Sequence, residues 1–377
     1  MGKRIEVPIT PSVLKWAIEE SGYTRAEVSE AIGGDEQLLS SWLTDKAKPS
    51  LSELKAVAGK LHRQLATFLL PAPPETTPVS IRFRHPQHGH RRPLNPVERR
   101  FIRRAQRLQE AHSFLSSELG LDEPALATES TSAAASVAAA RFRGRLAVNL
   151  TQQAAWRSAS VAFDAWREAV ERLDIVVLLF PMTDESCRGF SLWDDRAPLV
   201  AVNTAWRDEA RIFTLFHEIG HLLTRTDSAC ALAGTSVGDA DDPAERWCES
   251  FAASVVIPDD VMSTLPKVTD IKSLARAADR FKISLRAMAI RLIGAQKATW
   301  SLYKSIPAAS ENKSRGGAGG TGRNRREIRE DEFGHRGTRL FVEAVRRDVI
   351  TESQALDYLD IPSADFDRLA KSVALEP

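Results

Sequence analysis

Apolar residues recur along this chain at two spacings. One is close to three and a half residues and predicts helix; the other is close to two and predicts strand. Helical spacing dominates. Residues 11–70 read as five short helices. In the first, Pro11 to Ser21, the residues Val13, Leu14, Ala17 and Ile18 turn inward. Thr24 with Glu27, and Ser50 with Glu53, have capping-box spacing and open the second and fourth helices. Gly33-Gly34 breaks the chain, and Asp35 caps a third helix through Leu43. The fifth, His62 to Leu70, ends against Pro71. Val97 to Leu119 predicts a longer helix. Thr128 to Ala140 is rich in Ala and Ser and reads as a helix or a loose connector. Ser158 to Leu173 is amphipathic, with Val161, Phe163, Trp166, Ala169, Val170 and Leu173 on its apolar face. Three strand-like runs follow, Ile175–Phe180, Arg188–Leu192 and Leu199–Asn203, each bounded by turn formers. Asp270 to Leu292 reads as two helices joined by Phe281-Lys282-Ile283-Ser284, and Trp300 to Arg325 as a flexible segment. Phe333 to Pro377 reads as a small helical region with breaks near Ile350 and Pro362. The predicted fold class is α+β, mostly helical.

One helix carries chemistry. Ile212, Phe213, Leu215, Phe216, Ile219, Leu222 and Leu223 make residues 212–223 apolar nearly all round, as in a buried helix. Inside it stands His217-Glu218-Ile219-Gly220-His221, an H-E-x-x-H motif. Two imidazoles four residues apart lie about 40° apart on a helix and about one turn along it. They can reach one metal ion from one face. Glu218 shares that flank and can bond a metal-held water and take its proton. Buried imidazoles and a buried carboxylate are costly unless paired or metal-bound. Gly220 costs roughly 1 kcal/mol in mid-helix, which points to close packing against a neighbour. The plain alternative is two hydrogen-bonded core histidines and a surface glutamate.

A zinc site of this kind needs a third protein ligand and keeps a fourth position for water. Residues 243–258 read as a second buried helix with Glu245 and Glu249 on one face. One can bind the metal while the other accepts the N–H of a ligand histidine. Spacing leaves open which does which. Asp239, Asp241 and Asp242 sit in a Gly/Asp-rich stretch and read as a solvated loop. The order helix, small sheet, metal helix suits a zincin, in which an edge strand beside the metal helix can pair with an extended substrate.

The two N-terminal helices around Gly33-Gly34 have helix-turn-helix spacing. The third helix would enter the major groove, with Gln37, Ser40 and Ser41 exposed and Lys46 and Lys48 just beyond. Residues 1–70 hold nine Lys/Arg and nine Asp/Glu, so this module alone is a weak phosphate binder. Residues 82–107 hold nine arginines and one acid, a net of +8, and supply Arg99, Arg100, Arg103 and Arg104 as candidate DNA contacts. A solvated basic surface and a clamp on an acidic protein are the alternatives. His85, His88 and His90 in that stretch read as loop histidines.

Composition narrows the class. The chain has 377 residues, 43% of them apolar, and a net charge of +1, so no whole-chain argument favours nucleic acid. Cys187, Cys230 and Cys248 are odd in number and widely spaced, which fits a reducing compartment better than a disulfide framework. The start has no apolar segment of a signal peptide, and the longest apolar run, residues 175–182, is too short to span a bilayer. A cytoplasmic protein with no membrane contact is expected. The expected domains are a five-helix helix-turn-helix domain at 1–70, a basic arm at 71–107 and a zincin-like peptidase domain at 108–265. A helical helix-turn-helix-like unit at 266–300, a flexible linker at 301–330 and a small helical region at 331–377 complete the chain.

H-E-I-G-H followed by Glu245, by Phe251-Ala252-Ala253 and by Ile257-Pro258 resembles the ImmA/IrrE family of metallopeptidases. Arg188 to Leu192, Arg211 to Leu215, Phe281 to Ser284 and Arg291-Leu292 are similar to its long members. Residues 11–70, with Trp42 and the Lys48-Pro49-Ser50 turn, resemble the Cro/repressor-type (XRE-like) DNA-binding domain. The resemblance implies a zinc ion held by His217, His221 and Glu245, with Glu218 as the base. Glu249 falls where the family usually has Asn or Asp, close behind the ligands. For the oxyanion-stabilising donor, Arg188 and Tyr303 are the candidates. The resemblance further implies a zinc endopeptidase that cleaves a repressor-type helix-turn-helix protein, in a stress, prophage or toxin–antitoxin setting. The alternative it implies is a non-proteolytic, DNA-binding antitoxin or regulator that inhibits a neighbouring toxin. DNA and a second copy of the chain are further expected partners.

Overall fold

The computed structural model describes residues 6–75, 94–226, 228–230, 243–307 and 325–374. The chain forms two compact units, Met1–Arg104 and Ala105–Pro377. Arg82, Arg84, Arg91, Arg92, the three histidines of the basic arm, Asp239, Asp241, Asp242 and most of the expected 301–330 linker lie outside the described residues.

In the first unit, α1 (Pro11–Ser21), α2 (Arg25–Ser29), α3 (Glu36–Leu43) and α4 (Leu51–Lys60) enclose Leu14, Val28, Leu39, Trp42 and Val57. Their starts follow the sequence. Thr24 and Ser50 each close a capping box, and the Asp35 side chain accepts the Leu38 N–H. The fifth expected helix is instead a short 3-10 segment, Leu65–Leu69. His62 at φ 50° ends the preceding helical run, and Pro71 leaves no length for a full α-helix.

Helix α5 (Pro96–Glu118) leads into the second unit. Then come α6 (Ala135–Leu146), α7 (Leu150–Ala155) and α8 (Ala159–Glu171). Residues 128–134 form no helix, and the Ala/Ser-rich stretch becomes helical only at Ala135. On α8 the apolar face is Ala162, Phe163, Trp166, Ala169 and Val170. Val161, expected on that face, is 46% exposed.

Strands β1 (Val176–Phe180), β2 (Gly189–Leu192) and β3 (Leu199–Asn203) match the three expected runs. Helix α9 (Asp208–Thr224) and a fourth strand, β4 (Ser228–Cys230), follow. The strand order is β1-β3-β2-β4, with β1 parallel to β3 and the other pairs antiparallel. Helix α9 packs on β2 and β3. It also packs on α8, where Trp166 meets Phe216 edge-on at 5.1 Å.

Helix α10 (Pro243–Val256) runs beside α9 and α6, followed by α11 (Asp259–Thr264). Helices α12 (Ile271–Phe281) and α13 (Leu285–Gly294) form the expected pair, turning at Lys282 with φ 55°. Helix α14 (Trp300–Lys304) occupies the start of the segment expected to be flexible; its Thr299 cap accepts the Leu302 N–H. The tail is helical: α15 (Arg325–Arg346), α16 (Glu352–Leu359) and α17 (Ser363–Ala374).

The tail packs against β1 and α8. Buried Arg167 on α8 pairs with Glu171 at 2.8 Å and donates to the carbonyls of Val177 on β1 and Asp331 on α15, each at 2.6 Å. Helix α15 kinks at Gly334, where φ is 71°. A Cβ there would stand 2.2 Å from Glu171 Oε1, so only glycine admits this approach. Among the described residues no helix is long and apolar enough to cross a membrane.

Candidate metal centre

Helix α9 starts with Asp208 and Glu209, whose charges suit the positive end of the helix dipole. From Thr214 to Leu223 it is buried without a break. Glu218 is fully buried, and His217 and His221 are 7% and 1% exposed. Such groups must find partners. They find them in one another and in α10.

Gly220 sets the distance between the two helices. A Cβ at this position would stand 3.0 Å from Cys248 Cβ and Sγ and 3.1 Å from its Cα. Glycine therefore lets α10 lie directly against the turn between the two histidines. Cys248 is a packing residue, buried at this contact. Glu245, nearly one turn before it and in the first turn of α10, is thereby brought to the imidazoles. Its position near a helix N-terminus also favours the carboxylate.

The three donor atoms form a small triangle. His217 Nε2 is 3.1 Å from His221 Nε2 and 3.2 Å from Glu245 Oε2, and His221 Nε2 is 3.6 Å from the same oxygen. Ligands about 2.0–2.1 Å from a tetrahedral ion stand about 3.3 Å from one another. The observed edges bracket that value, so the residues fit a metal ion. Titration behaviour agrees. Burial alone would raise the pKa of Glu245, but hydrogen bonds from His217 and His221, and their charge, hold it well below the ordinary carboxylate range. Burial would lower His217, yet its bond to Glu245 and the charges of Glu218, Glu245 and Glu249 raise it. The centre of the triangle thus draws positive charge.

A relay of hydroxyls fixes the proton of His221. Thr224 Oγ1 donates to the Gly220 carbonyl at 3.0 Å. A carbonyl carries no proton, so the direction of this bond is set. Thr224 Oγ1 then accepts from Thr226 Oγ1 at 2.9 Å, and Thr226 Oγ1 accepts from His221 Nδ1–H at 2.8 Å. The Nε2 lone pair is left facing the triangle. Glu249 is the sequence's candidate for this supporting place. Among the described residues Glu249 makes no hydrogen bond to either imidazole and is exposed. Partial desolvation at its carboxyl, opposed by His217 and reinforced by Glu245, raises its pKa. It acts on His217 through charge, not contact.

Glu218 is placed by the sheet. A Cβ at Gly189 on β2 would lie 2.6 Å from Thr214 Cγ2 and 3.3 Å from Glu218 Cγ. The strand rests directly on the flank that carries the carboxylate. Of the candidate oxyanion donors, Arg188 lies over the Trp206 ring at 4.4 Å, and Tyr303 lies between Trp300 and Arg286. Beside α9, β2 is no edge: β4 pairs with it, so among the described residues the outer strands are β1 and β4. Ser-Ala-Cys has no alternation to signal a strand.

The candidate DNA contacts divide. Gln37, Ser40 and Lys46 are exposed on and after α3. Ser41 is half-buried and donates to the Leu38 carbonyl, while Lys48 pairs with Asp45 at 2.5 Å. Arg100 is exposed and lies over Phe101. Arg99 and Arg103 donate to the carbonyls of Glu19 and Glu20 at the end of α1, at 3.4 and 3.2 Å. These two cap a helix, which accounts for part of the basic run without phosphate. Burial, with Arg63 adding its repulsion, lowers Arg103 to about 10. Arg104 is half-buried.

A helix-turn-helix unit and a zincin-like unit with a converged His-His-Glu cluster define the class: a metallopeptidase joined to a DNA-binding-type domain. Residues 170–292 match the family model of the IrrE N-terminal-like domain, peptidase family M78, and residues 14–68 match that of a helix-turn-helix domain. The chain thus carries an IrrE N-terminal-like metallopeptidase domain behind a helix-turn-helix domain, the arrangement of ImmA/IrrE-type proteins. Among curated proteins, none matches it.

Proposed function

We propose that this protein is a zinc-dependent endopeptidase of the cytoplasm that cuts a repressor-type helix-turn-helix protein. The observation that carries this reading is the triangle of His217, His221 and Glu245 donors beside the fully buried Glu218. Two imidazoles and one carboxylate are a donor set of catalytic zinc sites. Bound there, the ion would lower the pKa of water toward neutral and polarise the substrate carbonyl. Glu218 takes the proton of the attacking water and hands it to the departing amine. Glu249 adds negative charge at the exposed rim, and Thr226 holds the His221 ring.

The helix-turn-helix unit would bring the peptidase to DNA or to a DNA-bound regulator, through Gln37, Ser40, Lys46 and Arg100. Its neutral balance argues for docking that is weak on DNA alone. The test uses the purified full chain, zinc, and a repressor encoded beside it. Glu218→Gln keeps the metal and loses cleavage. Toxin neutralisation that is indifferent to Glu218→Gln, with no cleavage by the wild type, would select the antitoxin reading instead.

A further inference from the structure

A cavity of about 280 Å³ lies at the N-terminal end of the metal helix. It is lined by Trp206 and Ala210, near the start of α9, by Ala275, Ala278 and Leu285 of the α12–α13 pair, and by Arg188, one residue before Gly189. Its position relative to the metal centre follows from helix geometry. Residues 210, 214, 217 and 221 fall within about 60° of one another around an α-helix. Ala210 thus shares a face with the two histidines, and seven residues separate it from His217, about 10 Å along the axis. An extended peptide advances about 3.3 Å per residue, so the cavity stands about three residues from the bond at the metal. Strand β2 joins the two places: Gly189 rests on Thr214 and Glu218, and its neighbour Arg188 lines the cavity.

Volume and lining decide the occupant. Small-molecule sites start at roughly 300 Å³, so this space suits one large side chain better than a cofactor. The lining mixes four alanines, Ile283, Leu285 and Trp206 with the charged or polar Arg188, Arg207, Glu209, Asp279, Lys282 and Ser284. The cation of Lys282 is paired with Asp279 at 2.7 Å, and the Arg188 guanidinium lies over the Trp206 ring at 4.4 Å. An arginine stacked this way presents a weakly hydrated surface to another ring.

We infer that this cavity is a specificity pocket, built jointly by the metal helix and the α12–α13 pair, for a bulky aliphatic or aromatic side chain of the peptide substrate about three residues from the cut. The inference rests on the proposed peptidase reading, and the experiment separates the two. Zinc-loaded protein digests a degenerate peptide library, and the products are sequenced by mass spectrometry. Leu, Met, Phe and Trp are expected to be enriched about tenfold near the third residue on one side of the cut. Ala275→Trp, which fills the space, is expected to abolish that enrichment while zinc content and cleavage of small-residue peptides persist. The second arm needs no cleavage. N-acetyl-tryptophanamide is titrated into zinc-loaded Glu218→Gln protein with labelled Ala and Ile methyls. Shifts are expected at Ala210, Ala275, Ala278 and Ile283, and none of them in the Ala275→Trp background. An unchanged library profile in Ala275→Trp, or silent methyls in the titration, overturns the pocket. Methyl shifts without any peptide cleavage sustain the pocket and sink the peptidase reading alone.

Discussion

Replacing Gly220 by alanine should loosen the metal while leaving the fold intact. The added methyl would stand 3.0–3.1 Å from Cys248, including its Cα. Carbon contacts are comfortable at about 3.5–4.0 Å, so α10 must retreat by roughly half an ångström. Glu245 lies nearly one turn from Cys248 on the same helix and moves with it. Metal ligands tolerate about 0.2 Å, so the carboxylate leaves its range while the imidazoles, both on α9, stay. A 10- to 100-fold loss of zinc affinity is expected, similar to that for a lost supporting bond in other sites. Overpacking costs about 1–3 kcal/mol, against which alanine regains up to about 1 kcal/mol of helix propensity. The apo protein should therefore lose no more than about 2 kcal/mol. Chelator competition measures the first quantity and urea unfolding of apo protein the second. Cys248→Gly in the same chain removes Cβ and Sγ and should recover part of the affinity. If Gly220→Ala binds zinc as tightly as the wild type, the helix contact does not position Glu245 and the reasoning fails.

Three further outcomes are expected. Thr226→Val should weaken zinc about tenfold and Thr226→Ser should restore it, as read by competition; equal affinity in Thr226→Val would remove the relay from the account. His112 on α5 is pushed down to about 4 by burial first and the charge of Arg336 second. Its lowered pKa means that the unfolded chain takes the proton more readily. Stability is therefore kept above about pH 6.5 and falls as pH drops toward 4, by about 2 kcal/mol between pH 7 and pH 5. Urea unfolding of His112→Gln should lack that share of the slope. Gly334→Ala meets Glu171 and a positive φ at once and should cost about 2–4 kcal/mol, seen as release of the tail to limited proteolysis.

Much of the scaffold could be read from local chemistry. Caps at Thr24, Asp35, Ser50 and Ser158 sit where side-chain oxygens can meet free N–H groups, and helix starts followed them. The H-E-x-x-H helix announced its own burial. Helix α7 is absent from the sequence-based expectation: Asn149 and Gln152 form a capping box, but the run behind it is too short to show helical periodicity. What escaped was set by contacts distant in sequence. Glu245 and Glu249 look equivalent by spacing; the resemblance singles out Glu245, and the packing of Cys248 on Gly220 supplies the physical reason. Thr226 follows the end of its helix and looks like any loop threonine until its hydroxyl meets His221. Arg99 and Arg103 read as part of a charge run, whereas the end of α1 needed donors for its carbonyls. The Arg167–Glu171 pair that holds the tail looks like an ordinary surface pair on a helix.

The most direct measurement is metal content after equilibration in zinc buffered by a chelator. Wild type and Glu218→Gln should each hold one zinc per chain, and His217→Ala, His221→Ala and Glu245→Ala should each lose it. A wild type that stays metal-free, or a Glu245→Ala protein that keeps its zinc, would contradict the account.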